Sequence, residues 1–208
     1  GDAPRYRPPL PGRLATDQGQ LYSILDPAEP GVVQHPAGLF VLRFPGHWRV
    51  LVSARGDYVS YLVSPEAGRV PPSQLRTGVR VAEVVMSDVF RRQRWTPAAM
   101  LKHLLPAFLK DEPGMKLDGE PRPARLGGLE AAACTLRGPR KDAPGEHVKD
   151  IVVAEKVGIA FQLTALAPAE DSAGFQAAWE KIAADSTFGR EGLARRDTSL
   201  EARRIVQQ

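Results

Sequence analysis

The sequence predicts an α+β domain built on an antiparallel sheet. Three observations favour this class: short β-rich apolar segments recur along the chain, short turns containing glycine join several of them, and two segments with helical periodicity follow runs of strands. The chain has 208 residues, of which 43% are hydrophobic and 25% charged, as is typical of one globular domain with some tail. We expect a sheet of about six or seven strands with the helices packed on it.

The chain begins with a proline-rich stretch whose composition is typical of a linker. Residues 1–20 show no hydrophobic period, and residues 20–25 fit either a short strand or a helical turn. Residues 26–38 contain three prolines, which favours a loop. Residues 1–35 are therefore predicted to form an N-terminal arm.

Strand patterns begin at residue 38. Residues 38–44, 48–53 and 58–64 are rich in apolar and β-branched side chains and are separated by short turns, which predicts an antiparallel meander. Residues 79–89 alternate regularly, but both of their faces are apolar near the centre. This pattern predicts an inner strand that is covered on both sides.

The first helix is predicted at residues 96–110. Thr96 suits the N-cap and Pro97 suits the first helical position, where a missing N–H costs nothing. Pro106 lies inside the pattern, and we expect it to kink the helix or to end it near Leu105.

The second half of the chain is predicted to contain strands, a second helix and a charged tail. In order, these are an extended segment (116–131) with a hairpin turn at Gly127-Gly128, a strand (129–138), a polar loop (139–146), two strands around a turn (147–168), a helix (172–188) and the tail (191–208). The folded domain is therefore expected to span residues 36–190.

The stretch FPGHWRV (44–50) places Pro, Gly, His and Trp side by side. Strand alternation predicts that Pro45 and Gly46 turn the chain, that Trp48 enters the core and that His47 faces water. We therefore interpret this stretch as part of the scaffold and not as a chemical site.

The charge balance by itself excludes few classes of binding partner. The net charge is +4 and the isoelectric point about 9.4, but basic and acidic residues are interleaved, so we expect no nucleic acid as a partner. The densest basic clusters, together with one tryptophan, are the candidate residues for binding a protein partner; the alternative is ordinary solvated surface charge. These candidates are Arg91, Arg92, Arg94, Trp95, Arg195, Arg196, Arg203 and Arg204.

No catalytic pattern is present in the sequence. His35, His47, His103 and His147 have no metal-ligand spacing, and the GxSxG, GxxxxGK[ST] and GxGxxG motifs are absent. The single cysteine, Cys134, has small apolar neighbours, which favours a buried structural role. We expect no catalytic residue, no metal and no cofactor.

Membrane and export signals are few. No run of apolar residues is long enough to cross a bilayer, and no signal peptide is visible. The proline-rich start is typical of a linker that follows a leader or an anchor. An extracytoplasmic location, periplasmic or lipoprotein-like, is therefore the hypothesis, and a cytoplasmic location is the alternative.

The segments GLFVLRFPGHW, ARLGGLEAAACTLRG and VVAEKVGIAFQLTALAP, with a last helix running into IAADSTF, together resemble the Mog1/PsbP-like superfamily. This superfamily includes bacterial PsbP-like, DcrB-like and DUF1795-type domains. The matching residues are Phe40, Leu42, Pro45, Trp48, Gly127, Gly128, Gly158, Phe161, Leu163, Thr164, Ser186 and Phe188, with Thr187 as a small departure. The resemblance covers about residues 36–190 and implies an α/β/α sandwich, a central antiparallel sheet with helices on both sides.

The resemblance implies little about function, because a fold does not determine what a protein does. Members of the superfamily bind a Ran-type GTPase, sit on the lumenal side of photosystem II or chaperone secretion effectors, and they share no catalytic centre. The implied function is a non-enzymatic protein-binding or assembly domain of a bacterial protein, with export or membrane tethering as a hypothesis. Two alternatives remain. One is a cytoplasmic DUF1795-type effector chaperone with an apolar groove, and the other is a small-ligand enzyme with His47, His103 or His147 beside a carboxylate.

Overall fold

The computed structural model describes residues 13–17, 20–35, 38–55, 58–85, 93, 95–141, 143–156 and 159–189. Its strands are β1 (Arg13–Asp17), β2 (Gln20–Leu25), β3 (Val32–Gln34), β4 (Phe40–Arg43), β5 (Arg49–Arg55), β6 (Tyr58–Ser64), β7 (Gly78–Val85), β8 (Lys116–Leu117), β9 (Arg122–Leu126), β10 (Leu129–Arg140), β11 (Ala143–Lys156), β12 (Ile159–Pro168) and β13 (Thr187–Phe188). Its α-helices are α1 (Pro97–Asp111) and α2 (Ser172–Asp185), and short 3-10 turns lie at Pro72–Gln74 and Ala169–Asp171.

The strands form two antiparallel sheets. The main sheet has the order β1-β2-β5-β6-β7-β12-β11-β10-β8, and β9 also pairs with β10. A small sheet has the order β13-β4-β3. The predicted α+β class is confirmed, although the main sheet has 10 strands in the described part of the chain and thus exceeds the expected size.

The two helices lie on opposite faces of the main sheet. The neighbouring pairs Cys134↔Ile151 and Ala133↔Val152 of β10 and β11 point to opposite sides because strand side chains alternate. The first pair packs with α1, and Val152 packs in the core that contains Trp179 of α2. We name these sides the α1 face and the α2 face. The predicted α/β/α sandwich is therefore present, and the small sheet contributes to the layer on the α2 face.

Helix α1 lies within one residue of its predicted bounds, 96–110. The Thr96 hydroxyl accepts a hydrogen bond of 3.2 Å from the backbone N–H of Ala99, as an N-cap should, and Pro97 is the first helical residue. Of the two outcomes expected of Pro106, a kink or an end near Leu105, the end is wrong, since α1 continues through Pro106 to Asp111. Burial of Met100 and Leu101 anchors the helix on the sheet, and packing of an apolar face contributes most of a helix's stability in a protein.

Of the connections predicted between strands, the double-glycine turn is confirmed and the polar loop is not. The turn at Gly127-Gly128 is confirmed, because Leu126 pairs with Leu129 and both glycines have positive φ, 53° and 81°. The polar loop predicted at 139–146 is wrong for most of its length, since β10 extends to Arg140 and β11 starts at Ala143. Ladder pairing across Pro139↔Glu146 therefore continues despite the polar composition.

The N-terminal region contributes more structure than its composition indicates. Gln20–Leu25 pairs with β5 inside the main sheet, and Arg13–Asp17 pairs with Gln20–Leu25. The predicted loop at 26–38 instead contains strand Val32–Gln34, which pairs with β4. Non-local pairing stabilises these segments, and a local reading of prolines cannot detect it.

The FPGHW stretch marks the crossing from the small sheet to the main sheet. Strand β4 pairs with β3 and β13, so the predicted meander is wrong for β4, whereas β5, β6 and β7 are consecutive neighbours. The N–H of Trp48 donates to the carbonyl of Pro45 at 3.0 Å and closes the turn. Trp48 is buried and His47 is exposed, as the alternation predicts.

The last helix is shorter than its sequence pattern. Helix α2 ends at Asp185, and Thr187–Phe188 forms a strand beside β4 where the sequence analysis extended the helix to residue 188. The hydroxyl of Ser186 accepts from the N–H of Arg43 at 3.0 Å and ties the end of α2 to β4.

Candidate binding cleft

A polar cleft of about 300 Å³ opens on the α1 face of the main sheet. Helix α1 covers β10 and β11, while Ala67 and Leu75 of the loop after β6 pack over β2, β5 and β6. Strands β7 and β12 lie between these two covers and form the floor. The lining residues are Leu62, Pro72, Leu75, Thr77, Gly78, Arg80, Phe108, Asp111, Glu112, Arg140, Lys149, Gln162, Thr164 and Leu166.

One wall of the cleft is a loop ordered by a carboxylate. Glu66 accepts hydrogen bonds through Oε1 from the backbone N–H groups of Arg76 and Thr77, at 3.2 and 2.8 Å. The hydroxyl of Ser64 accepts from the N–H of Glu66 at 3.0 Å and also bonds to the carbonyl of Thr77. These bonds connect both ends of the loop, so the wall has a defined position over the sheet.

The floor of the cleft is polar because of strand register. Arg80 of β7 lies opposite Thr164 of β12, and Gln162 is two residues away on the same face. All three interrupt strands that are otherwise mostly apolar. This site was not predicted from the sequence. The available signal was the placement of polar residues at alternating positions of two inner strands.

Three cations line the cleft, and two of them contact one carboxylate. Glu112 caps the C-terminal end of α1, and its Oε1 lies 3.5 Å from both Arg140 Nε and Lys149 Nζ. Arg140 also donates from Nη1 to the carbonyl of Leu75 at 2.9 Å. Arg80 forms no hydrogen bond or ion pair with any residue that the structure describes.

Burial and the neighbouring cations of the cleft lower the pKa of Lys149. Burial lowers the pKa of Lys149, Glu112 opposes this effect, and Arg140 and Arg80 lower the pKa further through like-charge repulsion. The cleft therefore has an electrostatic preference for a negatively charged group.

His147 is buried next to this charge cluster. Its Nδ1 lies 3.1 Å from the carbonyl oxygen of Gly145, so Nδ1 carries the proton of the neutral ring. Its Nε2 is buried and has no hydrogen-bond partner among the described residues. Burial lowers the pKa of His147 below its ordinary value of 6.5, and the charges of Arg140 and Arg76 lower it further.

We expect the folded protein to lose stability as pH falls below 6.5, in part through His147. The unfolded chain protonates this histidine near pH 6.5 and the folded chain does so only at lower pH, so acid favours the unfolded state. Urea unfolding measured between pH 8 and pH 5 checks this for the wild type and for His147→Asn, whose amide retains a donor for Gly145. The wild type should lose stability relative to His147→Asn as pH falls. The exposed control His47→Asn should follow the wild type, and parallel curves for the wild type and His147→Asn would contradict the assignment.

The partner-binding residues predicted from the sequence lie mostly outside the described residues. Arg91, Arg92, Arg94, Arg195, Arg196, Arg203 and Arg204 all belong to that group, so they stay a prediction. Trp95 is described and half-buried: its Nε1 donates to Gln93 at 2.6 Å, and its ring contacts His103 edge-on at 5.0 Å. Trp95 also packs against the core below α1, which gives it a structural role.

The other candidate chemical residues are dispersed. His35 is buried against Phe40, whereas His47 and His103 are exposed, and no histidine lines the cleft. Cys134 is buried as predicted, and burial raises the pKa of its thiol, which disfavours the thiolate. Within the described ranges, no group of three or more His, Cys, Asp or Glu side chains is placed to hold a metal ion.

A second groove of about 340 Å³ lies between α2 and the end of β4. Its apolar lining comes from Phe44, Pro45, Ala178 and Ile182, and charged residues complete its lining.

None of the helices in the described part of the chain is long and apolar enough to cross a membrane.

Comparisons with known proteins identify the fold but not a close relative. No family model and no curated protein matches the chain. The solution structure of cyanobacterial PsbP (CyanoP) from Synechocystis sp. PCC 6803 superimposes with a TM-score of 0.56 and 9% identity, over 79% of this chain and 95% of that one.

Two further structures are more distant. A Bacteroides thetaiotaomicron VPI-5482 protein has a TM-score of 0.49 and 15% identity over 79% of this chain, which spans only 50% of that protein. LpqN, involved in cell envelope biogenesis of Mycobacterium tuberculosis, has a TM-score of 0.45 and 18% identity, over 81% of this chain and 92% of that one. The sheet topology, the two helices on opposite faces and the PsbP superposition together show that the chain has the Mog1/PsbP-like fold.

Proposed function

We propose that this chain is a non-enzymatic protein-binding or assembly domain of a bacterial protein that is exported or membrane-tethered, and that the cleft is its recognition site. The observation that carries the proposal is the chemistry of the lining. Arg80, Arg140 and Lys149 converge there above a floor that carries Gln162 and Thr164. Such a site is suited to hold a negatively charged group.

The fold and the sequence support the remaining parts of the proposal. The PsbP superposition supports a domain of the kind that the sequence resemblance implies, in which the matching residues are scaffold residues. Arginines 91, 92, 94, 195, 196, 203 and 204 are proposed as additional contacts with the partner.

The alternative of an effector chaperone has less support. Gripping an apolar helix requires a long apolar groove. The groove between α2 and β4 is small and carries Arg43, Lys181 and Asp185 along with its apolar residues. Among the large apolar side chains that the structure describes, only Leu117 is exposed, at 36%.

Site-specific photocrosslinking tests the proposal. We would place benzoylphenylalanine at Asp111, which is exposed at the rim of the cleft, or at Ala177, which is exposed on α2 on the opposite face. In an extract of the source organism, the full chain should crosslink one protein from position 111 and not from position 177. Excess unmodified chain should reduce this crosslink, and excess Arg80→Gln chain should reduce it less. Equal labelling from both positions, or labelling that excess unmodified chain does not reduce, would contradict the proposal.

A further inference from the structure

The charges in the cleft are not balanced by direct contacts. Arg80, Arg140 and Lys149 face two acidic side chains, Asp111 and Glu112. Among the described residues, Glu112 contacts Arg140 and Lys149, whereas Asp111 is exposed at the rim and forms no ion pair with them. Two of the three cations therefore share one carboxylate, and Arg80 has no acidic partner among the described residues.

The contacts that Glu112 makes are long. Its Oε1 lies 3.5 Å from Arg140 Nε and from Lys149 Nζ, whereas a good charge-assisted hydrogen bond measures about 2.7–2.9 Å. Arg140 Nε is buried and has no hydrogen-bond partner among the described residues. One carboxylate placed between two cations thus leaves donors of both only partly satisfied, while the exposed Arg80 has no hydrogen bond to a described residue.

The remainder of the lining suits a short acidic side chain. Gln162 and Thr164 offer hydrogen-bonding groups on the floor, and Phe108 and Leu75 offer apolar surface on the walls. A volume of about 300 Å³ accepts a carboxylate together with the methylene groups that carry it. Glu112 itself shows that a carboxylate on such a stem reaches these cations.

We propose that the cleft binds a carboxylate presented by an acidic side chain of a protein partner. The carboxylate contacts Arg80 first and then displaces Glu112 from Arg140 and Lys149, so that Glu112 acts as an intramolecular competitor. This inference rests on the proposed function, because it names the chemistry by which the cleft recognises the partner.

NMR titration of the full chain tests the ligand class. The probes are the peptide acetyl-Gly-Glu-Glu-Gly-amide, its Gln-Gln analogue, sodium glutarate and inorganic phosphate, all at constant ionic strength. We expect saturable shifts of backbone amides around residues 76–80, 140–149 and 162–166 with the acidic peptide, and no saturable shifts with its Gln analogue. Glutarate shares the carboxylate and should bind more weakly than the peptide. Phosphate that binds as tightly as the acidic peptide would overturn the assignment of a carboxylate.

Matched variants separate the cleft from general charge effects. Arg80→Gln and Lys149→Gln should weaken binding of the acidic peptide by at least about tenfold, because each removes a hydrogen bond to a charged group. Arg69→Gln and Lys102→Gln remove the same charge from exposed positions outside the lining and should leave the affinity unchanged. Equal losses in cleft and control variants would overturn the inference.

Glu112→Gln provides the test that a folding defect cannot imitate. It removes the competitor, so a folded Glu112→Gln protein should bind the acidic peptide more tightly than the wild type, by roughly fivefold or more. Binding that is unchanged or weaker in a variant with a native-like amide spectrum would overturn the role of Glu112.

If photocrosslinking from position 111 succeeds and no carboxylate binds, this inference alone fails. If the peptide binds in the cleft and no protein crosslinks, the proposed function fails.

Discussion

Replacing Trp48 with Ala is expected to lower the free energy of unfolding by about 3–5 kcal/mol. The indole is only 6% exposed and lies in the core between the main sheet and α2. Its ring stacks on Phe175 of α2, with ring centres 6.2 Å apart and planes 3° from parallel. The substitution removes both the burial and the stacking and leaves a cavity where the chain crosses from one sheet to the other.

Urea unfolding followed by far-UV circular dichroism measures this effect, since the remaining tryptophans complicate fluorescence. The matched control is His47→Ala, which alters the exposed neighbour and should change the free energy of unfolding by less than about 0.5 kcal/mol. A Trp48→Ala protein as stable as the wild type would show that the stack contributes nothing. If both variants lost comparable free energy of unfolding, the turn at residues 45–48, and not the indole, would be the source of the stability.

Replacing Gly127 with Ala is expected to destabilise the fold by about 3–4 kcal/mol. Two costs add at this position. The backbone has a φ of 53°, which a residue with a Cβ adopts poorly, and the new Cβ would collide with the backbone carbonyl of Ser186. The N–H of Gly127 also donates to the carbonyl of Ala183 at 2.8 Å, so the hairpin is fastened to the C-terminal end of α2.

Gly128→Ala is the control for this prediction. Gly128 has a similarly positive φ of 81°, but a Cβ there meets no atom within 4 Å. It should therefore cost only the backbone strain, about 1–2 kcal/mol. Equal losses of unfolding free energy for the two variants would contradict the role of Gly127 as a packing contact between the β9–β10 hairpin and α2.

The local features of this fold are readable from the sequence for physical reasons. The cap at Thr96, the double-glycine turn and the alternation around Trp48 each depend on residues within a few positions of one another. Propensity, capping and alternation act over that range, so they predicted these features correctly. The helix does not end at Pro106, because burial of α1 on the sheet outweighs the local cost of a proline.

Long-range strand pairing accounts for most of the differences between the predicted and the observed strands. β4 was assigned to the meander, but it pairs with β3 and β13 because its apolar residues fill the layer on the α2 face. Gln20–Leu25 and Ala143 onward form strands because a neighbouring edge supplies their hydrogen bonds. Composition around a proline or a run of polar residues does not report the presence of such an edge.

The sequence by itself determined the class of the fold, the positions of most strands and both helices, and the scaffold role of FPGHW. The tertiary structure alone decided where the candidate site lies. Arg80, Glu112, Arg140 and Lys149 come from a strand, a helix end and two further strands that are distant in sequence. Nothing local in any of these segments marks them as a group. Only the antiparallel register and the placement of α1 bring their charges to one cleft, where each affects the others.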